Sequence, residues 1–478
     1  MTLGGLYNRT DVTGGRSGSS EYPPGPRGYP LIGVLPQLRS DPIRVFLDAA
    51  DRYGELVHLK AGPYHGFLLS EPGDIKHVLL DNARNYHKSP LYERLRDGIG
   101  NGLLTSEDGF WLRQRRLVQP AFHHQRVMAM ADVMVSCTEE MLGRWDQIAA
   151  AGETIEVVAE MMALTQAIIV RTMFSTDLGA TAEIVNRTWP IINRRIGETF
   201  WSTKLETTLP LPANRRFWAA LGELEAVVYR IIEDRRRNHR DEHDLLSMLL
   251  SARDEETGGG MTDRQLRDEV MTILLAGHET TSLALSWTYY LLSQHPGTEQ
   301  QIADEVARVI GRERPAFAHI ERLTSIKRTL EESLRLYPPA WGFSRLALGD
   351  DEVGGYRVPK GSIVFLIPFV IHRRPTLWAD PERFDPDRFA PERESARHRF
   401  AYLPFGGGPR GCVGNQFAML EAQLIVAAIA QRYRVELVPG QTVEPEPLIT
   451  LRPKGGIRAT LQRRTPAPPL AHWPGQHL

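Results

Sequence analysis

The stretch Leu403–Ala418, LPFGGGPRGCVGNQFA, sets three consecutive glycines, a proline and an arginine immediately before Cys412. Gly406, Gly408 and Gly411 spell G-x-G-x-x-G, a pattern that cradles pyrophosphate when a strand precedes it and a helix follows. The flanks imitate that setting, with FAYLPF before, a helical stretch after, and then YRVEL with Glu436. Pro409, however, removes a backbone N–H from a loop that has to bind phosphate. Too little chain follows Leu403 for a doubly wound domain, and the upstream segments do not alternate strand with helix. The other reading makes Cys412 the point of the loop. It stands just before a helix, whose N-terminal dipole favours a thiolate, and Arg410 adds positive charge. Glycines let the backbone approach both the sulfur and a flat ligand. The chain's two cysteines, Cys137 and Cys412, cannot build a zinc or iron–sulfur cage, which takes about four ligands. One thiolate suffices where a macrocycle supplies the other donors. Taken alone, Cys412 also reads as an inert buried thiol.

Further chemistry-bearing residues recur at helical spacing. AGHETT, Ala276–Thr281, lies inside a run that reads as one long helix opened by a capping box of Thr262 and Gln265. Gly277 in its middle costs about 1 kcal/mol relative to Ala. Two readings stay open: close helix packing at Gly277 with Thr280 bonding back to a carbonyl, or a helix that opens locally over a bound group, Ala276 and Thr280 sharing a face. Trp111 and Arg115, four apart, put an indole N–H and a guanidinium on one face, suited to carboxylates or to an ordinary amphipathic helix. Glu332 and Arg335 are an i, i+3 pair, ordinarily a minor surface contact. HRDEH, His239–His243, fits the inverted zinc-protease pattern, which keeps a zinc metallohydrolase as an alternative. Its surroundings, EDRRRNHRDEHD, are polar on every side and read better as a solvated charge run. HETTS at His278 ends in Ser282 where a second histidine is required, and GRSGS breaks the nucleophile-elbow pattern at its last position.

The elements that position these residues read as mainly α with small β-sheets at the two ends. Residues 1–20 are compositionally loose, and YPPGPRGYPLIG (22–33) is too rich in Pro and Gly for regular helix or an inner strand. Short strand-like pieces follow to about 85, then long amphipathic stretches to about 345, then short strands, a proline-rich stretch at 373–404 and one last helix over roughly 414–432. One large domain over 21–463 is expected, with a loose tail at 464–478. The 57 basic residues nearly balance the 58 acidic ones, which argues against nucleic acid as a partner. Charged residues are 24% and apolar ones 42%, as in ordinary soluble proteins. No secretory segment or apolar run approaching the ~18 residues of a membrane span is seen. With too few cysteines for a disulfide framework, the expected setting is reducing and cytoplasmic.

Taken together, the motifs resemble the cytochrome P-450 family. FGGGPRGCVG (Phe405–Gly414) fills every fixed position of the F-x-x-G-x-R-x-C-x-G haem loop. W-x-x-x-R (Trp111–Arg115), A-G-x-E-T-T (Ala276–Thr281), E-x-x-R (Glu332–Arg335) and W-x-x-P-x-x-F-x-P-x-R-F (Trp378–Phe389) occur in the family's order. The match covers roughly 22–460 and looks closer to the fatty-acid-hydroxylase and microsomal-like branch than to the camphor-hydroxylase type. The resemblance implies a single haem-thiolate domain binding haem b (iron protoporphyrin IX), with Cys412 as iron ligand and Phe405 in the haem loop. It implies that Trp111, Arg115, Arg410 and Arg345 serve the propionates. It implies that Thr280 hydrogen-bonds dioxygen while Glu279 relays protons, O–O cleavage requiring two. Glu332 and Arg335 would be locked by a third residue; spacing from Trp378 favours Arg388 over Arg383. The implied activity is hydroxylation or epoxidation of an apolar terpenoid, fatty acid or polyketide, with two electrons from a separate ferredoxin or flavodoxin and its reductase. Arg113, Arg115, Arg116 and Arg410 would offer that partner a basic patch, unless propionates consume two of them. A haem-thiolate peroxygenase is the competing chemistry; such relatives typically replace the acid–alcohol pair that Glu279 and Thr280 keep. The substrate pocket would draw on Tyr86–Leu104, Ala276, Gly277 and the Pro339–Phe343 turn with Ala340, Trp341 and Phe343.

Overall fold

A computed structural model describes residues 22–464 except 178, 180, 181, 203, 239–243 and 254–257. The terminal tails expected at 1–20 and beyond 464, and the HRDEH histidines, lie outside the described residues. Helices dominate from Asp108 to Leu336, and the sheets gather residues from both ends of the chain.

The central helix, Asp263–Gln294, opens with Thr262 and Gln265 forming the reciprocal capping box. It is buried on nearly every side, as befits a helix through the middle of a large core. Against it lies the Val157–Phe174 helix. This second helix corrects the expectation that no apolar run reaches the length of a membrane span. Its 18 residues are long and apolar enough to cross one, but 67% of them are buried inside the protein, where they form core. Thr165 of this helix donates to the His278 carbonyl at 2.8 Å, joining the two.

The five-stranded sheet is built from a local hairpin, Leu56–Ala61 with Tyr64–Leu69, and from distant strands. Ile363–Leu366 runs parallel to Tyr64–Leu69, and Phe343–Ala347 lies antiparallel beyond it. Tyr86–Lys88 closes the order, with Lys88 directly opposite Arg345. The Pro/Gly segment covers the other edge: the His58 N–H donates to the Pro24 carbonyl at 3.1 Å, and the Val34 N–H to that of Lys60 at 2.8 Å. Covering an edge strand blocks pairing with another chain.

The Glu332–Arg335 pair sits in the Thr324–Leu336 helix with neither side chain exposed. Arg335 Nε and Nη2 each donate to the Glu332 carboxylate at 2.7 Å. The same guanidinium reaches the carbonyls of His372, Pro381 and Arg383. Arg388 stands 3.4 Å from Glu332, whereas Arg383 is exposed and contributes its backbone. Glu332 also accepts from the Asp385 N–H at 2.9 Å. Helix and proline-rich stretch are thus tied by charge-assisted bonds in a dry interior.

Candidate haem-binding and active site

A cavity of about 390 Å³ lies between the central helix, the Cys412 loop and the sheet. Cys412, Phe405, Gly406, Arg410, Trp111, Arg115, Arg345, Ala276, Gly277, Glu279, Thr280, Ala340 and Phe343 all line it. Residues far apart in sequence are therefore brought to one cavity. Trp341 is the exception. It is buried in the neighbouring core beside Phe46 and Phe365, and its indole N–H donates to the Leu448 carbonyl at 3.0 Å. Its role is packing, because that bond and that core turn the ring away from the cavity.

The Cys412 loop is a short turn, Gly408–Arg410, that hands the chain to the Asn415–Arg432 helix. The Cys412 N–H donates to the Phe405 carbonyl at 2.9 Å. The side chain is open to the cavity although the residue lies deep in the protein. Burial pushes the thiol above its ordinary pKa, against the Gly414 N–H and the Arg115 charge, which favour the thiolate. That corrects two expectations: burial outweighs the helix terminus, and the helping charge is Arg115 and not Arg410. Arg410 is turned to Glu107, with which it pairs. The glycines also divide their roles. Gly406 (φ +67°) has nothing within 4 Å of where a Cβ would stand, as an approach to a flat ligand requires. Gly408 (φ +67°) is there for the protein itself, since a Cβ would lie 1.8 Å from the Leu79 carbonyl oxygen. Gly411 has an ordinary φ, and a Cβ there would meet nothing nearer than the Gly408 oxygen, at 3.3 Å.

Four cations and one indole gather at the cavity. Arg115 donates to the Gly411 carbonyl at 2.8 Å. The Arg410 guanidinium lies 4.5 Å from the centre of the Trp111 ring, and its Nη1 is buried without a hydrogen-bond partner among the described residues. Lys88 and Arg345 face one another across two strands. Burial pulls Lys88 down to about 7, and burial also lowers Arg345. Like charges directly opposite in a sheet destabilise it. Glu107 is the acid beside this group, pairing with Arg410 and accepting from the Lys88 N–H at 2.6 Å. A surplus of buried positive charge, with an unpartnered guanidinium nitrogen, fits a ligand carrying two carboxylates. Together with a lone thiol on the cavity, the donor set fits haem b. Lys88 and Glu107 were not found from sequence. A lysine in a three-residue strand carries no motif, and only the strand pairing reveals its partner.

Of the four arginines expected to form a surface patch, Arg115 and Arg410 are turned to the cavity, Arg113 is half-buried and Arg116 is exposed.

On the other wall, the central helix runs unbroken through Ala276–Thr281. Of the two readings kept open for this stretch, the structure has close helix packing and not the local opening. Thr280 Oγ1 donates to the Ala276 carbonyl at 2.8 Å, and a Cβ on Gly277 would come within 2.7 Å of Ile169 Cδ1. The hydroxyl satisfies the carbonyl, and the glycine admits the neighbouring helix. Thr280 still borders the cavity. Glu279 is 2% exposed. Burial pushes its carboxyl up to about 7, opposed first by Arg452 and then by Thr450, Trp189 and Asn193. Asn193 donates to it, and Arg452 lies 3.7 Å away. These partners come from the Ala182–Thr199 helix and the Pro445–Pro453 hairpin, and no motif marks them. His278 is held neutral: burial lowers it to about 4, and its Nδ1–H donates to the Leu274 carbonyl at 2.7 Å.

Among the described residues, no group of three or more His, Cys, Asp or Glu side chains is placed to hold a metal ion.

Residues 23–458 match the Cytochrome P450 family. Cyclooctatin synthase from Streptomyces melanosporofaciens is 42% identical over 89% of this chain and 92% of its own length. Cyclooctat-9-en-7-ol 5-monooxygenase from the same organism is 35% identical over 87% and 90%. Pentalenene oxygenase from Streptomyces avermitilis is 33% identical over 92% and 97%. The crystal structure of the cytochrome P450DA heme domain superposes with a TM-score of 0.84 at 29% identity, covering 93% of this chain and 98% of that one.

Proposed function

The chain belongs to the cytochrome P450 family, a haem b monooxygenase acting on an apolar small molecule, and from that premise we propose that it oxygenates a terpenoid. The observation that carries the reading is the convergence of Cys412, four cations and the Glu279–Thr280 pair on one largely apolar cavity. The names of its relatives, which act on an alkenol and an alkene, support the terpenoid class.

We assign Cys412 as the iron ligand and Trp111, Arg115, Arg345, Arg410 and Lys88 as the propionate partners. When bound, haem supplies dioxygen activation with electron donation from the thiolate. The chain's own residues do the rest. The apolar side chains Leu103, Ile273, Phe343 and Ile449 exclude water and shape the substrate volume. A carboxyl with a pKa of about 7 exchanges protons near neutral pH without a large driving force either way. Glu279 is that proton reservoir, and Thr280 presents a hydroxyl at the cavity one residue on. An intact acid–alcohol pair favours dioxygen and two external electrons over peroxygenase chemistry. A separate ferredoxin or flavodoxin supplies those electrons, its acidic face meeting the exposed Arg116 side of the molecule. A cytoplasmic setting suits a chain whose two cysteines are both free thiols.

The test is the reduced, CO-bound spectrum of purified protein. The expected result is the strongly red-shifted Soret band of a thiolate-ligated haem. A colourless protein, or a band at the position of a histidine-ligated haem, sinks the assignment.

A further inference from the structure

Away from the cations, a second polar cluster stands in the cavity wall, where the central helix, the Ala182–Thr199 helix and the Pro445–Pro453 hairpin meet. Trp189, Glu279 and Thr450 line the cavity there, and each is almost wholly buried. The Trp189 indole N–H and the Thr450 hydroxyl both favour charge on Glu279. Neither has a hydrogen-bond partner in good geometry among the described residues. The same holds for the Asn193 amide oxygen behind them, fully buried beside Glu279. A buried polar group left without a partner costs about 1–3 kcal/mol, and native interiors rarely leave several together. Apart from the Glu279 carboxyl, the surrounding wall, with Ile169, Ile273 and Ile449, offers them nothing.

We propose that Trp189 and Thr450 form a hydroxyl-recognition site, so that the substrate is an apolar skeleton that already carries an alcohol. The inference rests on the terpenoid reading above. An alcohol oxygen accepts from the Trp189 N–H, while its proton goes to Thr450 Oγ1 or to the Glu279 carboxyl. A group that both donates and accepts matches a cluster holding one fixed donor, one hydroxyl and two acceptors. A fatty-acid carboxylate does not match, because it would face the Glu279 carboxyl, and the nearby Arg452 is already engaged by that acid. A bare hydrocarbon leaves both polar groups empty. The step supplying the substrate is then one that installs oxygen, either water capture of a cyclisation cation or a preceding oxygenation.

The experiment titrates haem-loaded protein with tricyclic sesquiterpenes offered as matched pairs, such as cedrane and cedrol together with alcohol regioisomers, and reads the substrate-induced spin shift. At least one alcohol is expected to bind ~10-fold or more tightly than its hydrocarbon. In Thr450→Val and in Trp189→Phe that advantage should fall to within about twofold. Equal affinity for hydrocarbons and alcohols across the panel overturns the inference, as does an advantage that survives both substitutions, or one that is lost only because both ligands weaken alike. Absence of any spin shift with the whole panel, hydrocarbons included, sinks the terpenoid reading and this inference with it.

Discussion

Gly408→Ala separates two reasons for a glycine in the Cys412 loop. At φ +67° an L-residue is in the left-handed region, which costs about 1–2 kcal/mol. The new Cβ would also stand 1.8 Å from the Leu79 carbonyl oxygen and 2.8 Å from its carbon. Ordinary C···O contacts lie near ~3.3–3.6 Å, so loop and carbonyl must part by roughly 1.5 Å. Both are backbone, and no rotamer change relieves the overlap. Overpacking of this kind costs about 1–3 kcal/mol, bringing the total to ~2–5 kcal/mol. Gly406→Ala has the same φ and no neighbour within 4 Å, so its cost to the polypeptide is the ~1–2 kcal/mol of conformation alone. Its Cβ faces the space a cofactor uses, so its larger effect should fall on cofactor retention. The assay is denaturant unfolding followed by far-UV circular dichroism, beside the absorbance ratio of haem to protein. Gly408→Ala should lose unfolding free energy, and Gly406→Ala should mainly lose haem. The reasoning fails if Gly408→Ala unfolds within 1 kcal/mol of wild type, or if Gly406→Ala is the less stable fold.

Cys412→Ala should abolish the red-shifted CO band, while Thr280→Ala keeps it and diverts electrons to peroxide; unchanged coupling to product would remove Thr280 from proton delivery. Glu332→Gln breaks a fully buried pair and strands two guanidinium groups, so the loss of stability should be about 3–5 kcal/mol; a loss below ~1 kcal/mol in a denaturant titration would show that the charge is dispensable. The pH dependence of Glu279 has a definite sign. Its folded-state pKa of about 7 lies above the ordinary 4.5, so its contribution is fully present below 4.5 and is lost as pH rises through 7. Glu279→Gln should remove up to ~3 kcal/mol of that decline, gaining on wild type at pH 8 relative to pH 5; a constant difference at the two pH values contradicts the raised pKa.

Residues tied to a local pattern were legible in the sequence. Cys412, Trp111, Arg115 and Glu279 sit in short motifs whose spacing a helix or a turn fixes, and each lines the cavity. The capping box of the central helix is equally local, with both partners within one turn. What escaped was set by tertiary pairing. Lys88 acquires its meaning from Arg345, 257 positions later, through a strand register. Trp189, Asn193 and Thr450 gather round Glu279 from two other elements. Trp341 was misjudged because, alone in the turn Pro339–Phe343, it leaves the cavity wall, its indole having found a carbonyl in the core. Of the two readings left open for Ala276–Thr281, the structure has the packed helix, with Thr280 donating back to the Ala276 carbonyl.

On the proposed assignment, the opposed Lys88 and Arg345 would give the sheet an assembly checkpoint. Strand Tyr86–Lys88 is only three residues long and pairs on one side, and its last residue meets a like charge. The Lys88 ammonium is held there by the Leu103 and Ser106 carbonyls, at 3.3 and 2.5 Å, and burial loosens its hold on the proton. On the proposed assignment, two carboxylates between Lys88 and Arg345 would offset that repulsion and steady the strand and the pocket-forming segment that follows it, from Tyr92 to Leu104. Proteolytic nicking near residues 86–107 should then report the unloaded fraction of a preparation, fading as haem is added. Quality control of the folded chain and readiness to bind substrate are, on this account, a single event.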